Sequence, residues 1–190
     1  MMRWADHLIV APVVLPLVAG ALLVLVDEQR RRLKFAISLV AVLGLLALAV
    51  ALVALAHGRP EGWTGAVGVY LAANWPVPFG ISLAADRLSA VMVLLSALLG
   101  LASLVFAQAR WARAGVHFQA LIQFLLMGLN GAFLTADLFN LFVFFEVMLA
   151  ASYGLVLYGS GPVRVRAGLH YVAVNLLASS LFLIGVSMIY

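Results

Sequence analysis

Cysteine is absent from this 190-residue chain, and charged residues make up only 9% of it. The missing thiols exclude disulfide scaffolds, cysteine-ligated metal centres and thiol catalysis. The scarcity of charge excludes a water-soluble domain, in which about a quarter of the residues are charged. Hydrophobic residues account for 66% of the sequence, and this proportion excludes a disordered chain. The class that remains is an integral membrane protein.

Motifs of common enzyme and metal sites are also missing. The sequence contains no Gly-rich phosphate loop, no clustered metal ligands, no nucleophile–base arrangement and no internal repeat. We therefore expect neither a cofactor nor a bound metal. The sequence favours a transporter over an enzyme. If the chain does belong to an enzyme, we expect it to be a proton-translocating subunit of a redox complex.

Six stretches with at most one charged residue each are long enough to cross a bilayer, which takes about 20 apolar residues. The apolar residues are continuous and do not alternate, so helices are favoured over the strands of a membrane barrel. The prediction is an all-α, polytopic helix bundle forming one membrane domain over 1–190. The predicted helices are 7–26, 35–56, 87–107, 116–135, 138–158 and 167–190. The first stretch could instead be a cleaved signal peptide, but it is longer than a signal core and its basic cluster follows it.

Lys and Arg are unevenly distributed between these helices, and basic residues favour the cytoplasmic side of a membrane. Eight of the 11 basic residues lie in the first, third and fifth connections, namely Arg30, Arg31, Arg32, Lys34, Arg110, Arg113, Arg164 and Arg166. This count predicts an N-terminus outside a bacterial plasma membrane. The net charge of +4 then reflects topology, and no nucleic-acid partner is expected.

The longest connection, 57–86, is predicted to lie outside as a loop or a hairpin. It contains prolines 60, 76 and 78 and several glycines, which are typical of turns. Its apolar residues indicate a compact segment that lies on the membrane or against a partner subunit.

Glu146 is the one charged residue predicted to lie deep in the bilayer. In a helix over 138–158 it is about 12 Å from one end and about 18 Å from the other. A carboxylate there costs several kcal/mol unless it is protonated, paired or hydrated. A group whose charge depends on its neighbours suits a proton relay, and we predict that role for Glu146. The alternative is a permanently protonated packing residue. No Lys or Arg is predicted at the same depth, since Lys34, the only lysine, is assigned to a loop.

Polar residues also line two neighbouring helices. Gln119, Gln123 and Asn130 fall within about 40° of one another on the fourth helix, and Tyr171, Asn175 and Ser179 share a face of the sixth. These stripes either order a file of water for protons or form hydrogen bonds between helices, and the sequence does not favour one of the two. His170, at the start of the sixth helix, would pass protons into such a file or lie at the headgroup level.

Asp137 lies at the predicted start of the fifth helix, where a carboxylate meets free N–H groups and the positive end of the helix dipole. We therefore predict that it caps the helix, in preference to a role in conduction.

Three stretches resemble the D subunit of Mrp-type multisubunit monovalent cation/proton antiporters. They are GLNGAFLTADLFNLFVFFEVMLAASYGLVLYG at 128–159, PFGISLAADRLSAVM at 78–92 and LHYVAVNLLASSLFLIGVSMIY at 169–190. The block ADLFNLFVFFEVMLAASY is the most specific of these. Related proton-pumping subunits of complex I and membrane-bound hydrogenases share the glutamate of the fifth helix, in surroundings that differ more.

The resemblance implies that Glu146 is the family's fifth-helix glutamate, which pairs with a lysine in a seventh helix. It implies other membrane subunits of the antiporter complex as partners, with H⁺ and Na⁺ as the transported ions. Because the sequence stops at Tyr190, the chain is expected to be an N-terminal fragment or a short gene product. Two alternatives are a proton-translocating subunit of a complex I-like or hydrogenase-like enzyme, and an assembly fragment without transport activity.

Overall fold

The fold is helical, with one small β-element at one end. The structure, a computed structural model, describes residues 4–27, 29–58, 67–75, 80–110, 117–158 and 161–189. The helices there are α1 (Trp4–Leu25), α2 (Arg31–Gly58), α3 (Arg87–Arg110), α4 (Phe118–Leu134), α5 (Leu138–Val156) and α6 (Pro162–Ile189), and the strands are β1 (Gly68–Leu71) and β2 (Ser82–Ala85). Five helices are long and apolar enough to cross a membrane, and α4, with 17 residues, is shorter. The predicted all-α membrane bundle is confirmed, whereas the side on which the N-terminus lies stays a prediction.

Helix α4 lies at the centre and contacts α1, α2, α3 and α5, while α6 packs on α5. The buried apolar side chains come mainly from the first four helices, with Val42, Leu45, Val93 and Leu126 among them. We call α1 to α4 the four-helix block and α5 with α6 the α5–α6 pair. Within their apolar windows, α1, α2 and α3 are 33–39% buried, but α5 is 11% and α6 only 6% buried. The pair therefore leaves most of its surface uncovered by the described residues.

The connection predicted as a loop or hairpin contains an antiparallel strand pair, in which Gly68 lies opposite Ala85 and Leu71 opposite Ser82. Leu83 is buried, and the strands pack on the ends of α1, α3 and α4. The Ala136 N–H donates to the Ser82 carbonyl at 3.0 Å, which ties the turn after α4 to β2. The prolines at 60, 76 and 78, which the sequence analysis assigned to turns, lie outside the described residues.

Two helices start from an aspartate at this end of the bundle. The Ser89 N–H donates to Asp86 Oδ1 at 2.7 Å, and the Asp86 N–H donates to Ser89 Oγ at 2.8 Å, so α3 begins with a reciprocal cap. The Asn140 N–H donates to Asp137 Oδ2 at 3.1 Å, and Asp137 is the N-cap of α5. These bonds satisfy backbone donors that a helix start otherwise leaves free.

Helices α1, α2 and α6 begin three to five residues earlier than the hydropathy runs suggest. Helix α2 begins at Arg31 and α6 at Pro162, so residues assigned to connections lie in first turns. Long basic side chains reach water from a helix end while their stems stay in apolar surroundings. Proline suits the first helical position, because the N–H that it lacks would have no helical partner there. Lys34 is thus a helix residue, and its assignment to a loop was wrong.

Candidate functional site

Glu146 lies near the middle of α5. It is eight residues after the first residue of the helix and ten before the last, or about 12 Å and about 15 Å along the axis. Asp137 fixes the start of this helix through the cap described above. The fold therefore holds the carboxyl group at the depth where an uncompensated charge is most costly.

Two glycines of α4 set the face that α5 turns toward the block. A Cβ on Gly131 would overlap the Phe144 ring, and one on Gly128 would come within 2.6 Å of the Met148 backbone nitrogen. The two helices can approach so closely only because these positions have no side chain. Phe144 and Met148 therefore face α4. At about 100° per residue, Glu146 points about 180° away from the middle of that face.

The opposite side of α5 packs on α6 in an antiparallel arrangement. The Phe182 ring lies 6.4 Å from that of Phe142 and 6.3 Å from that of Phe145, measured between centroids. One end of the contact is closed by the Ser152 and Tyr171 hydroxyl oxygens, which are 3.0 Å apart. This register puts Glu146 level with Ala178 of α6, at the flank of the α5–α6 contact.

Three polar atoms of the α5–α6 pair are buried and have no hydrogen-bond partner among the described residues: Glu146 Oε1, Tyr153 OH and Asn175 Nδ2. Glu146 and Tyr153 are two turns apart on nearly the same face of α5, about 20° from each other. Asn175 and Ser179 line a cavity of about 220 Å³ between the two helices. Buried polar groups are normally paired, and of these three atoms that of Glu146 belongs to a carboxyl group near the middle of its helix, which singles this residue out as the candidate functional group.

Gln123 and Asn130, predicted as relay or water-file residues, do not join Glu146. Their stripe on α4 lies about 100–160° away from the glycine face that meets α5. Gln123 Nε2 donates to Ser38 Oγ at 3.0 Å and to the Ser38 carbonyl at 3.3 Å, which links α4 to α2. Of the two readings of this stripe, the geometry supports hydrogen bonds between helices.

Asn130 has a further structural reason to be there. Pro16 has no N–H, so the carbonyl of Pro12, four residues earlier in α1, loses its helical donor. Asn130 Nδ2 donates to this carbonyl at 3.0 Å, and Ser96 Oγ donates to Asn130 Oδ1 at 2.5 Å. A single fully buried amide thus connects α1, α3 and α4 and replaces the hydrogen bond that a proline removes.

His170 and Asn175 lie at different places on α6. Because α6 begins at Pro162, His170 lies in its third turn, and not at its start as predicted; its side chain is exposed. Asn175 is half-buried against α5 with its amide nitrogen unpaired, as given above. Of the predicted relay residues, Asn175 is the one on the face of α6 that meets α5, and the cavity that it lines is bounded on α5 by Phe145 and Leu149 and not by Glu146.

Lys34, like Tyr153, is a polar residue that sequence reasoning missed. It is only 5% exposed and precedes Ser38 by one turn on the buried face of α2. Gln119 precedes Gln123 by one turn on α4, and the Oε1 atoms of both glutamines are buried without a hydrogen-bond partner in the described part of the chain. The signal was available, since Lys34 is in phase with the apolar residues that α2 buries every three or four positions.

Outside the spans, Tyr158 lies just after α5. Burial raises the pKa of its phenol above the usual value, while the Phe118 backbone and the charge of Arg31 act in the opposite direction. The described residues contain no group of three or more acidic or histidine side chains able to hold a metal ion.

Comparison with known proteins gives the following similarities. Residues 135–190 match the family described as "NADH:quinone oxidoreductase/Mrp antiporter, TM". The chain is 56% identical over its full length to the D subunit of a probable K⁺/H⁺ antiporter from Rhizobium meliloti (strain 1021), of which it covers 35%. It is 40% identical over 187 residues to the D subunit of the Na⁺/H⁺ antiporter of Alkalihalophilus pseudofirmus, covering 36% of that protein. The chain thus spans about a third of the length of these relatives.

Solved structures give the same picture of the fold. A chain of the Mrp complex from Dietzia sp. DQ12-45-1b superposes with a TM-score of 0.86 at 37% identity, over 100% of this chain and 35% of that one. A chain of an archaeal membrane-bound sulfane sulfur reductase superposes with a TM-score of 0.85 over 96% of this chain and 37% of that one. At 23% identity, the second likeness concerns the fold alone.

Proposed function

The chain belongs to the NADH:quinone oxidoreductase/Mrp antiporter family as an N-terminal portion of the D subunit, and we propose that it is part of a multisubunit monovalent cation/proton antiporter in which Glu146 carries a proton. It is a multi-pass protein of the cell membrane. The similarity to D subunits over the whole chain supports the antiporter assignment. The observation that carries the role of Glu146 is its carboxyl group, held at mid-depth in α5 with Oε1 buried and unpaired among the described residues.

The mechanism that we propose is electrostatic. A carboxylate at that depth is stable only with a cation or water beside it, whereas a carboxylic acid needs only hydrogen bonds. A cationic side chain that approaches the outer flank of α5 would favour the charged form and release the proton. When the cation moves away, the carboxyl group takes up a proton again. One carboxyl group thereby converts movement of a neighbouring charge into proton binding and release.

The family resemblance indicates where such a cation would come from, namely a lysine on a seventh helix. We propose that this seventh helix covers the exposed flank of the α5–α6 pair, where its lysine can approach Glu146 from outside the four-helix block. Tyr153 and Asn175, each with a buried polar atom that has no hydrogen-bond partner among the described residues, would order the hydrogen bonds through which the proton enters and leaves. Other membrane subunits of the antiporter would then complete the path.

The transported cation is proposed to be Na⁺ or K⁺, since the two relatives described above carry these two ions in their names. Everted membrane vesicles with the complete complex can distinguish them. A respiratory proton gradient is established, NaCl or KCl is added, and the loss of the gradient is followed with a pH-sensitive dye. The ion that dissipates the gradient at the lower concentration is the substrate.

The same assay tests Glu146 with a matched control. Glu146→Gln removes the ionisable group in the middle of α5, and we expect cation-dependent dissipation to be lost. Asp137→Asn makes the same acid-to-amide change at the start of α5, where Asn also caps a helix, and should retain most of the activity. Full activity of Glu146→Gln at a normal amount of complex would refute the proposed role.

A further inference from the structure

Along α5, a hydroxyl group is aligned with Glu146 on one side only. We call the end of the α5–α6 pair at which α5 ends and α6 begins its connected end. Two turns from Glu146 toward this end lies Tyr153, and two turns toward the other end lies Phe139, each within about 20° of the direction of Glu146. A phenol both donates and accepts hydrogen bonds, whereas the Phe139 ring has no such group. The flank of α5 that carries Glu146 is therefore suited to proton movement toward the connected end.

Helix α6 has the same asymmetry. Toward the connected end it presents Asn175 and Tyr171 to α5, and toward the other end it presents Phe182. Both helices of the pair are thus polar on one side of the level of Glu146 and apolar on the other. Two helices that agree in this way indicate a direction of access to the carboxyl group.

Tyr153 lies between Glu146 and Tyr171. The Tyr153 and Tyr171 rings meet edge-on, with 5.7 Å between their centroids and an angle of 82° between their planes. The Tyr153 hydroxyl is buried without a hydrogen-bond partner among the described residues, and it lies within electrostatic reach of both the Glu146 carboxylate and the Tyr171 hydroxyl. The three side chains therefore form a series that runs from the middle of α5 toward the connected end.

The outer end of this series is open. Tyr171 is 38% exposed, and its hydroxyl oxygen lies 3.0 Å from Ser152 Oγ. Ser152 is four residues, or about 6 Å, before the last residue of α5. Two hydroxyl groups are thus placed where protons can arrive from the membrane surface.

The inner end of the series is a gap between Tyr153 and Glu146. Their Cα atoms are seven residues apart, or about 10 Å along the axis. Long side chains of a helix lean toward its N-terminus, which brings the Tyr153 ring toward Glu146. Both groups have a buried oxygen without a hydrogen-bond partner in the described part of the chain, so each has a free position for a bridging water molecule.

We propose that protons reach Glu146 from the side of the membrane that the connected end faces, by way of Tyr171 and Tyr153, an inference that rests on the proposed function of Glu146. In each transfer the Tyr153 hydroxyl gives its proton to a water molecule, which passes one of its own to the Glu146 carboxylate. The phenol oxygen takes a replacement proton from the Tyr171 side. The phenol and the water are regenerated, and the only net change is a new O–H bond on Glu146.

The test follows the protonation of Glu146 itself, in the complete complex reconstituted in one orientation in liposomes. After a rapid pH step on one side of the membrane, time-resolved infrared spectroscopy records the carbonyl band of protonated carboxyl groups. The part of this band that is missing in Glu146→Gln belongs to Glu146. We expect its protonation to be about tenfold faster, or more, when the step is applied on the side that the connected end faces.

Variants of the tyrosines separate a role in proton transfer from a role in packing. Tyr153→Phe keeps the ring and removes only the unpaired hydroxyl, so the complex should fold normally while protonation slows about tenfold. Tyr153→His restores a group that donates and accepts protons, and it should recover part of the rate. Tyr171→Phe should slow protonation less, because Ser152 keeps a hydroxyl at the outer end.

Tyr158→Phe is the matched control. The Tyr158 hydroxyl is also buried without a hydrogen-bond partner among the described residues, but it lies beyond the end of α5. Its removal should leave the protonation rate of Glu146 unchanged. The melting temperature of each complex shows whether it is folded.

Two results would overturn the proposed route, namely equal protonation rates after pH steps on the two sides, and the wild-type rate in a folded Tyr153→Phe complex. A carboxyl band that is the same in Glu146→Gln and in the wild type would instead refute the proton-carrying role of Glu146, and the route with it. The infrared band thus distinguishes failure of the route from failure of the proposed function.

Discussion

The four-helix block and the α5–α6 pair differ in what their buried polar groups do. In the block, Asn130 connects three helices and Gln123 bonds to Ser38, so these amides link helices, although the Oε1 atoms of Gln119 and Gln123 have no hydrogen-bond partner in the described part of the chain. In the pair, atoms of Glu146, Tyr153 and Asn175 are buried without a hydrogen-bond partner among the described residues. Paired groups in lipid hold a bundle together, whereas an unpaired carboxyl group such as that of Glu146 indicates where a proton, water or another helix is received.

Exposure follows the same division. Helices α1 to α3 are covered on one side by α4 and by each other, while α5 and α6 turn most of their surface outward. Among the described residues, the block is thus the more enclosed region, and the pair presents the surface on which the proposed proton transfer depends. The glycine contact between α4 and α5 is where the two regions join.

The largest loss of stability is expected from a change at this junction. Gly131→Ala would place a Cβ into the Phe144 ring, so α5 has to shift away from α4. We expect a cost of about 3 kcal/mol or more, at the upper end for overpacked sites. The measurement is the thermal unfolding temperature of the complete complex, together with its amount in the membrane.

Gly185→Ala is the control, since a Cβ there meets nothing within 4 Å among the described residues. Helix propensity alone would make this variant neutral or slightly more stable. If both glycine variants unfold at the wild-type temperature, the close contact of α4 with α5 is wrong.

A smaller loss is expected at the junction of three helices. Asn130→Ala removes the donor to the Pro12 carbonyl and leaves that carbonyl buried, at a cost of about 1–2 kcal/mol. Asn175→Ala deletes an amide whose nitrogen has no partner in the described part of the chain, so its effect on stability should be small. Equal unfolding temperatures for the two variants would contradict the claim that Asn130 stabilises the block while Asn175 does not stabilise the pair.

The proline explanation of Asn130 makes a sharper prediction. Pro16→Ala restores an N–H that can donate to the Pro12 carbonyl within α1. The loss caused by Asn130→Ala should therefore be smaller in the Pro16→Ala background than in the wild type. A double-mutant cycle on unfolding temperatures measures this difference, and strict additivity would show that the two residues do not share the carbonyl.

The smallest effect is expected for the link between α2 and α4. In a cycle of Ser38→Ala and Gln123→Ala, the coupling should be about 0.6 kcal/mol, the average for hydrogen bonds between membrane helices. The Ser38 carbonyl remains as an acceptor in Ser38→Ala, which limits the loss further. A coupling well above about 2 kcal/mol would mean that this pair, too, has more than a linking role.

Much of the fold was predictable because lipid leaves few choices for a backbone. Every peptide group in the hydrocarbon region needs an internal partner, so a long apolar run is a helix. The first turns of α2 and α6 were not predicted, because Arg31, Lys34 and Pro162 are compatible with a helix start but interrupt an apolar run. The strand pair was only one of two predictions for residues 57–86, because each strand has only four residues and their burial does not alternate.

The candidate site was predictable in part. Depth alone singled out Glu146, and the spacing of Gln123 and Asn130 correctly placed them on one face of α4. Angular spacing does not say which helix that face meets, and the structure turns it toward α1, α2 and α3. Gly128 and Gly131 lie on the other side of α4, and their lack of side chains indicates where α5 packs closely.

The most direct test of the account is the initial rate of cation-driven proton movement per complex in proteoliposomes, compared for wild type, Glu146→Gln, Glu146→Asp and Asn130→Ala. We expect no rate for Glu146→Gln and a reduced rate for Glu146→Asp, which keeps an ionisable group with a shorter stem. Asn130→Ala should yield less complex but a nearly normal rate for each complex that folds. A normal rate for Glu146→Gln together with a lost rate for folded Asn130→Ala would contradict the account, because the working proton path would then lie in the four-helix block.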